Sequence, residues 1–289
     1  MFYTEVPQAC IARMKHINLS FAACGFLGIY HLGAASALCK HGRKLLKHVK
    51  AFAGASAGSL VASVLLTAPQ KIEACNEFTY SFAEEVRRQT FGAVTPGYDF
   101  MARLRSGMEA ILPANAHELA HNRLHVSITN TKTGENCLVS SFPRREDLVK
   151  VLLASSFVPI YAGLNPVEYK GQKWVDGGFT NSLPLLPVGQ TVTISPFSGR
   201  MDISPQDRGQ LDFYVTIAKQ DILYVGLSLL WPLPLRSTGS GRTGSAATAH
   251  GPSRSAACEI FPDQDTNLCP LHRQADSQPL RHQGSPHKF

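Results

Sequence analysis

A serine framed by glycines, Gly54-Ala55-Ser56-Ala57-Gly58, lies between a short apolar run (Val49, Ala51, Phe52, Ala53) and a long one, Leu60 to Leu66. G-x-S-x-G between a strand and a helix is the setting in which a serine becomes a nucleophile. The turn is tight, so a Cβ at Gly54 or Gly58 would crowd the backbone. Ser56 is expected at its apex with Oγ exposed. The N–H of Ala57, at the helix N-terminus, is expected to face the oxygen of an attacked ester. The competing reading is a small-residue turn that only packs.

Acyl transfer also needs preorganised donors for the developing oxyanion. An earlier turn of the same kind, Ala23–Gly28, again sits between a strand and a helix, and the N–H groups of Cys24, Gly25 and Phe26 are its candidate donors. Gly25 and Gly28 also match the last two glycines of a dinucleotide-binding G-x-G-x-x-G. Ala23 replaces the first, however, and no Asp or Glu occurs between Gly28 and Glu73 to take a ribose hydroxyl.

The serine needs a base. Histidines occur at 16, 31, 41, 48, 117, 121, 125, 250, 272, 282 and 287. The last four lie in a segment expected to be disordered, so a Ser-Asp-His order finds no partner held within about 3 Å. Either the triad is unusual, using His125 for instance, or the base is a carboxylate. Asp176 is the best carboxylate. It ends the apolar pair Trp174-Val175 and precedes Gly177-Gly178, a strand-end turn that presents a side chain at a sheet edge; on motif alone, Asp-Gly-Gly is an ordinary turn. Phe157, Val158, Ile160 and Tyr161 are either the lining of an acyl trough or core. Asn181 and Pro184 are read as turn-shaping.

The elements that must position these residues alternate between strand and helix. Strands are expected over 17–22, 49–53, 124–129, 137–142, 192–194 and 213–217, with a hairpin over 167–175 around Lys170-Gly171. Helices are expected over 29–40, ended by Gly42, and over 59–67, 72–89, 101–112 and 146–155. The order implies an α/β layer architecture with a largely parallel sheet.

The chain has 289 residues, 44% of them hydrophobic, and a net charge of +7. That is enough for one large core. Residues 236–289 carry a net charge of +2, so the basicity is not a tail effect. Its densest cluster is Lys40, Arg43, Lys44, Lys47 and Lys50, with His41 and His48 between. No aromatic residue interleaves it, which disfavours nucleic acid. It is either a patch facing an anionic membrane or a solvated helix end and loop. Seven cysteines without C-x-x-C or metal-ligand spacing fit reduced thiols in an intracellular protein. No secretory signal is expected in the first residues. The segment 222–235 is too short to span a bilayer and would lie at the interface. Residues 236–289 contain no Val, Tyr, Trp or Met, and disorder is expected there.

Taken together, Ala23–Gly28, Gly54–Gly58 and Asp176–Gly178 resemble the patatin-like phospholipases in order and spacing, with Asp176 about 120 residues after Ser56. The wording N-L-S-F-A-A-C-G-F-L-G-I-Y-H-L-G-A-A-S-A-L and F-A-G-A-S-A-G-S-L-V-A-S is similar to the animal neutral-lipid branch. The resemblance covers about residues 14–222. It implies a three-layer α/β/α sandwich with a mostly parallel sheet, and a Ser56–Asp176 dyad without histidine. It also implies an oxyanion hole at Cys24, Gly25, Phe26 and Gly28, joined by Ala57. Family members hydrolyse acyl esters of triacylglycerols, phospholipids or retinol, some transfer the acyl group, and none needs a metal or other cofactor. The expected division is an extension over 1–15, a catalytic domain over 16–222 and a divergent tail over 223–289. The expected setting is the cytoplasm, with peripheral association to lipid droplets or membranes. The alternative is a catalytically weak, lipid-binding isoform with an altered C-terminus.

Overall fold

The computed structural model describes residues 16–205 and 214–223. The expected N-terminal extension, the tail expected to be disordered and nearly all of the 222–235 segment lie outside them.

Strand β1 (Ile17–Phe21) alternates apolar and polar residues, yet Asn18 and Ser20 are as buried as Leu19 and Phe21. The polar face is covered rather than solvated; Asn18 donates from Nδ2 to Val188 O at 2.7 Å. Helix α1 (Gly28–His41) follows and ends at Gly42, after which α2 (Arg43–His48) forms a short helix of its own where a charged loop is expected. Strand β2 (Val49–Ala55) leads through Ser56 into α3 (Ala57–Thr67). Then come α4 (Ile72–Arg88), whose Phe78, Phe82 and Val86 fall on one face, and α5 (Phe100–Ile111), capped by Asp99, which accepts the Ala102 N–H at 2.8 Å. The short α6 (Ala116–Ala120) has no signal strong enough to read in the sequence.

Strand β3 (Leu124–Asn130) is the pivot of the sheet. Strand β4 (Asn136–Val139) is shorter than expected because Ser140 O instead accepts from Asn122 N–H, and Phe142 N–H donates to His121 Nδ1. Helix α7 (Arg145–Ser155) precedes the hairpin of β5 (Val167–Tyr169) and β6 (Gln172–Asp176), whose turn uses positive φ at Lys170 and Gly171. Strand β7 (Gln190–Ile194) closes the main sheet, and β8 (Tyr214–Ile217) and β9 (Gln220–Leu223) form a separate hairpin.

The main sheet runs β5-β6-β3-β2-β1-β7, with β4 on β3. Strands β7, β1, β2 and β3 are parallel, whereas β4 and β6 are antiparallel to β3 and β5 to β6, so the sheet is mixed. With helices flanking it, the architecture is the expected α/β/α sandwich. One hydrophobic core joins Leu19 and Phe21 of β1, Leu124, Val126 and Ile128 of β3, and Leu148 and Leu152 of α7.

The register on β3 positions everything that follows. Strand β2 pairs with residues 124–127 and β6 with 128–130. Strand β4 pairs with 126–129, overlapping both. A strand has only two edges, so β2 and β6 must share the edge opposite β4. They approach from opposite directions and end against neighbouring residues: Ala55 opposite Ser127, Asp176 opposite Ile128.

Candidate active site

Ser56 leaves β2 with φ 52° and ψ −132°, a conformation glycine tolerates and serine rarely adopts. The flanking glycines allow it. A Cβ on Gly54 would stand 2.6 Å from Gly58 C and Ser59 N, and one on Gly58 would collide with the carbonyls of Phe21 and Ala22. Buried hydroxyls hold the turn from both sides. Ser56 N–H donates to Ser155 Oγ at 2.9 Å, and Ser155 Oγ donates in turn to Ser127 O at 2.7 Å. Ser59 Oγ donates to Ser56 O at 2.7 Å. Ser56 is not exposed as its motif suggests: it is 8% accessible, because the ends of β1 and β6 close on the turn.

Asp176 is 4% accessible. Its N–H donates to Phe157 O at 2.9 Å, its carbonyl accepts from Thr129 Oγ1 at 2.8 Å, and Oδ1 accepts from Gly178 N–H at 2.6 Å. Burial raises its pKa to about 6, against hydrogen bonds from the Ser56 hydroxyl and Gly178 N–H that lower it. The two side chains expected to work together therefore do face one another. A Cβ on Gly177 would overlap Ser127 O, and one on Gly178 would lie 2.8 Å from Ala23 Cβ. The Asp-Gly-Gly turn is thus pressed against β3 on one side and the loop after β1 on the other.

That loop is pinned at both ends. Ala23 N–H donates to Ser182 O at 2.9 Å and Leu27 N–H to Cys24 O at 3.1 Å, bracketing the N–H groups of Cys24, Gly25 and Phe26. Gly25 has φ +54°. A Cβ on Gly28 would stand 3.1 Å from Ala57 Cβ, so the N-termini of α1 and α3 meet beside Ser56. Two helix dipoles then bias the same point toward negative charge. The Cys24 thiol is pushed up by burial and then by the charge of Asp176, which keeps it protonated and inert.

Several supporting residues carry no motif. Ser155 and Ser127 are fully buried and join the serine turn to β3. Asn136 Nδ2 donates to Ser127 Oγ and to Thr180 Oγ1, both at 2.8 Å, tying β4 to the Asp-Gly-Gly turn. His31 is buried with Nε2 2.8 Å from Ala22 O, and burial lowers its pKa to about 4, so it is neutral and donates from Nε2 to the end of β1. A polar residue ending an apolar helix, as Ser155 does, is the only sequence trace of this group.

Other candidates fall elsewhere. His125 pairs with Ala53 on β2, and no bond among the described residues links it to Ser56. Phe157 is 2% accessible and packs with Ala162 and Val175, whereas Ile160 is 73% accessible. Two surface hollows, of about 370 and 260 Å³, touch neither Ser56 nor Asp176; Arg144 and Lys170 line the first, Phe78 and Arg103 the second. The side chains of Lys40, Arg43, Lys44, Lys47 and Lys50 are all exposed. No helix among the described residues is long and apolar enough to cross a membrane.

Comparison with known proteins covers most of this region. A family model described as patatin-like phospholipase matches residues 19–188. Human patatin-like phospholipase domain-containing protein 4 is 85% identical over 210 residues, which is 73% of this chain and 83% of that protein. Human patatin-like phospholipase domain-containing protein 2 is 40% identical over 195 residues, 68% of this chain and 38% of that one. Human 1-acylglycerol-3-phosphate O-acyltransferase PNPLA3 is 37% identical over 203 residues, 70% of this chain and 42% of that one. The chain therefore spans less than half the length of the last two.

Proposed function

The chain belongs to the patatin-like phospholipase family, and on that premise we propose that it is a serine acyl-ester hydrolase of lipids working through a Ser56–Asp176 dyad. Its substrates are triacylglycerol, phospholipid or retinyl esters, and an acceptor alcohol can replace water to make it a transacylase. The observation that carries the reading is the meeting of Ser56, held at φ 52°, with a buried Asp176 whose pKa is about 6.

In this mechanism Asp176 takes the Ser56 hydroxyl proton as Oγ attacks the ester carbonyl carbon. The oxyanion rests on N–H groups of the Cys24–Phe26 loop and Ala57, at the paired helix ends. The intermediate collapses, the proton on Asp176 passes to the departing alkoxide, and an acyl-serine remains. Water or an alcohol then gives its proton to Asp176 as its oxygen attacks the acyl carbon; the Ser56 Oγ–acyl bond breaks, and Asp176 returns the proton to Oγ. A carboxylate with a pKa near 6 suits both steps: it is ionised at neutral pH yet basic enough to accept a proton. The catalytic unit is taken as residues 16–222, acting peripherally at a lipid surface.

The experiment is covalent labelling with a fluorophosphonate serine probe, read by intact mass, on the parent chain and on Ser56→Ala. Labelling of the parent alone supports the dyad. A folded parent that resists labelling but still binds vesicles would favour the catalytically weak, lipid-binding alternative, whose motive is the divergent segment after residue 222.

A further inference from the structure

We infer that the chain docks on lipid through an uncharged apolar rim at the Ser56 end of the sheet, and that its basic cluster faces away. This deepens the hydrolase reading and rests on it.

Strand β2 runs from Val49, beside Lys50, to Ala55, roughly 20 Å at 3.3 Å per residue. Helix α1 runs the opposite way, from Gly28 beside Ala57 to Lys40 and His41. The cluster Lys40–Lys50 and the Ser56 turn therefore occupy opposite poles.

At the Ser56 pole, residues 22–28, 89–98, 156–166 and 177–180 contain no charged side chain, in a chain of which 17% is charged. A string of rings places the first and third beside one another, and Tyr98, which ends the second, lies within electrostatic reach of Tyr161. Phe26 meets Phe82 at 5.5 Å, Phe82 meets Phe100 at 4.8 Å, and Phe100 meets Tyr161 at 5.3 Å. The fourth segment touches the first through Gly178 and Ala23. These segments expose Leu27 (51%), Phe91 (67%), Val94 (47%), Ile160 (73%), Leu164 (83%) and Phe179 (55%). Single exposed apolar residues are ordinary, but several on adjoining uncharged segments mark an interaction surface.

Ile160 strengthens the inference. It has φ 72°, costly for a β-branched residue, and is held by its N–H to Gly163 O at 2.8 Å. Asn or Gly would suit that turn and solvent better. An isoleucine there is poorly placed for the free protein and well placed for insertion into an apolar phase. Absence of charge on the rim selects a neutral lipid surface over an acidic protein or an anionic headgroup layer as the occupant.

The test uses the full chain, Leu164→Asp/Phe91→Asp and Lys44→Glu/Lys47→Glu. Each is floated with pure phosphatidylcholine vesicles and with vesicles containing phosphatidylserine, and assayed on a water-soluble short-chain ester. The parent is expected to float equally with both. The apolar-to-acidic variant should lose roughly a hundredfold or more of its vesicle binding, the worth of burying two large side chains, and keep its rate on the soluble ester. The lysine variant should bind as the parent does. Unchanged binding by Leu164→Asp/Phe91→Asp, or binding that needs phosphatidylserine and is lost with the lysines, overturns the inference. So does a change from dimer to monomer in that variant without loss of flotation, since a second copy would then cover the rim. Expected flotation with no turnover of the soluble ester by any protein would sink the hydrolase reading and leave the docking face standing.

Discussion

Ala55 and Asp176 are the last residues of two strands that meet end to end on one edge of β3, opposite the consecutive residues Ser127 and Ile128. The proposed nucleophile is the residue after Ala55. Its distance from the proposed base is thus set by backbone ladders rather than by flexible side chains.

The electrostatic state of Asp176 gives a prediction about stability. Its folded pKa, about 6, lies above the 3.8 of an ordinary aspartate. The preference for the protonated form therefore contributes stability that is fully present below about 3.8 and lost as pH rises through about 6. At neutral pH the folded chain carries a buried charge at a cost of about 3 kcal/mol. Asp176→Asn should abolish hydrolysis yet raise stability at pH 8, with the gain shrinking to nothing near pH 4. Urea titrations across that range would show it; equal stabilities at every pH would contradict the buried charge.

The same pKa predicts the acid limb of catalysis. Only ionised Asp176 can take the serine proton, so kcat/KM on a soluble ester should fall about tenfold per pH unit below about 6 and level off above it. A profile flat from pH 5 to 8 would remove Asp176 as the base.

Backbone strain at Ser56 separates two inactive variants. Ser56→Ala loses the hydroxyl but keeps a Cβ at φ 52°, whereas Ser56→Gly also relieves the conformation. Both should be inactive, with the glycine variant more stable than the alanine variant by about 1 kcal/mol. Chemical denaturation of the pair measures it directly.

Ser155 should behave as a positioning residue. Its Oγ accepts the Ser56 N–H and donates to Ser127 O in a fully buried site. Ser155→Ala leaves both groups unpaired, at about 1–3 kcal/mol of stability. It should lower kcat about tenfold or more with little change in KM, and shift the acid limb upward as the Ser56 hydroxyl drifts from Asp176. A stability loss with an unmoved pH profile would make Ser155 merely structural.

Much of this was legible in the sequence because glycine positions report backbone needs directly. Gly54, Gly58, Gly177 and Gly178 each stand where a Cβ would strike a neighbouring chain segment, so their spacing encodes the contacts. Strand and helix order followed from periodicity. The burial of Ser56 was not legible, because it depends on how β6 and the loop after β1 close over it. The antiparallel joining of β4 and β6 to β3 was hidden as well: a strand's direction leaves no trace in its own residues. Ser127, Ser155 and Asn136 were invisible for a related reason. Each is an ordinary polar residue with a partner far along the chain (Ser155 with Ser56 and Ser127, Asn136 with Thr180), and only the fold brings these together.

The shared edge of β3 also sets when chemistry can begin. A growing chain contains the serine turn and its helix once residue 67 has been made, but the proposed base arrives more than a hundred residues later, and only when β6 finds the vacant half of that edge. Until then the proposed nucleophile lacks its proposed proton acceptor, and the unfinished chain is expected to be chemically silent. Completion of the sheet and onset of reactivity become a single event.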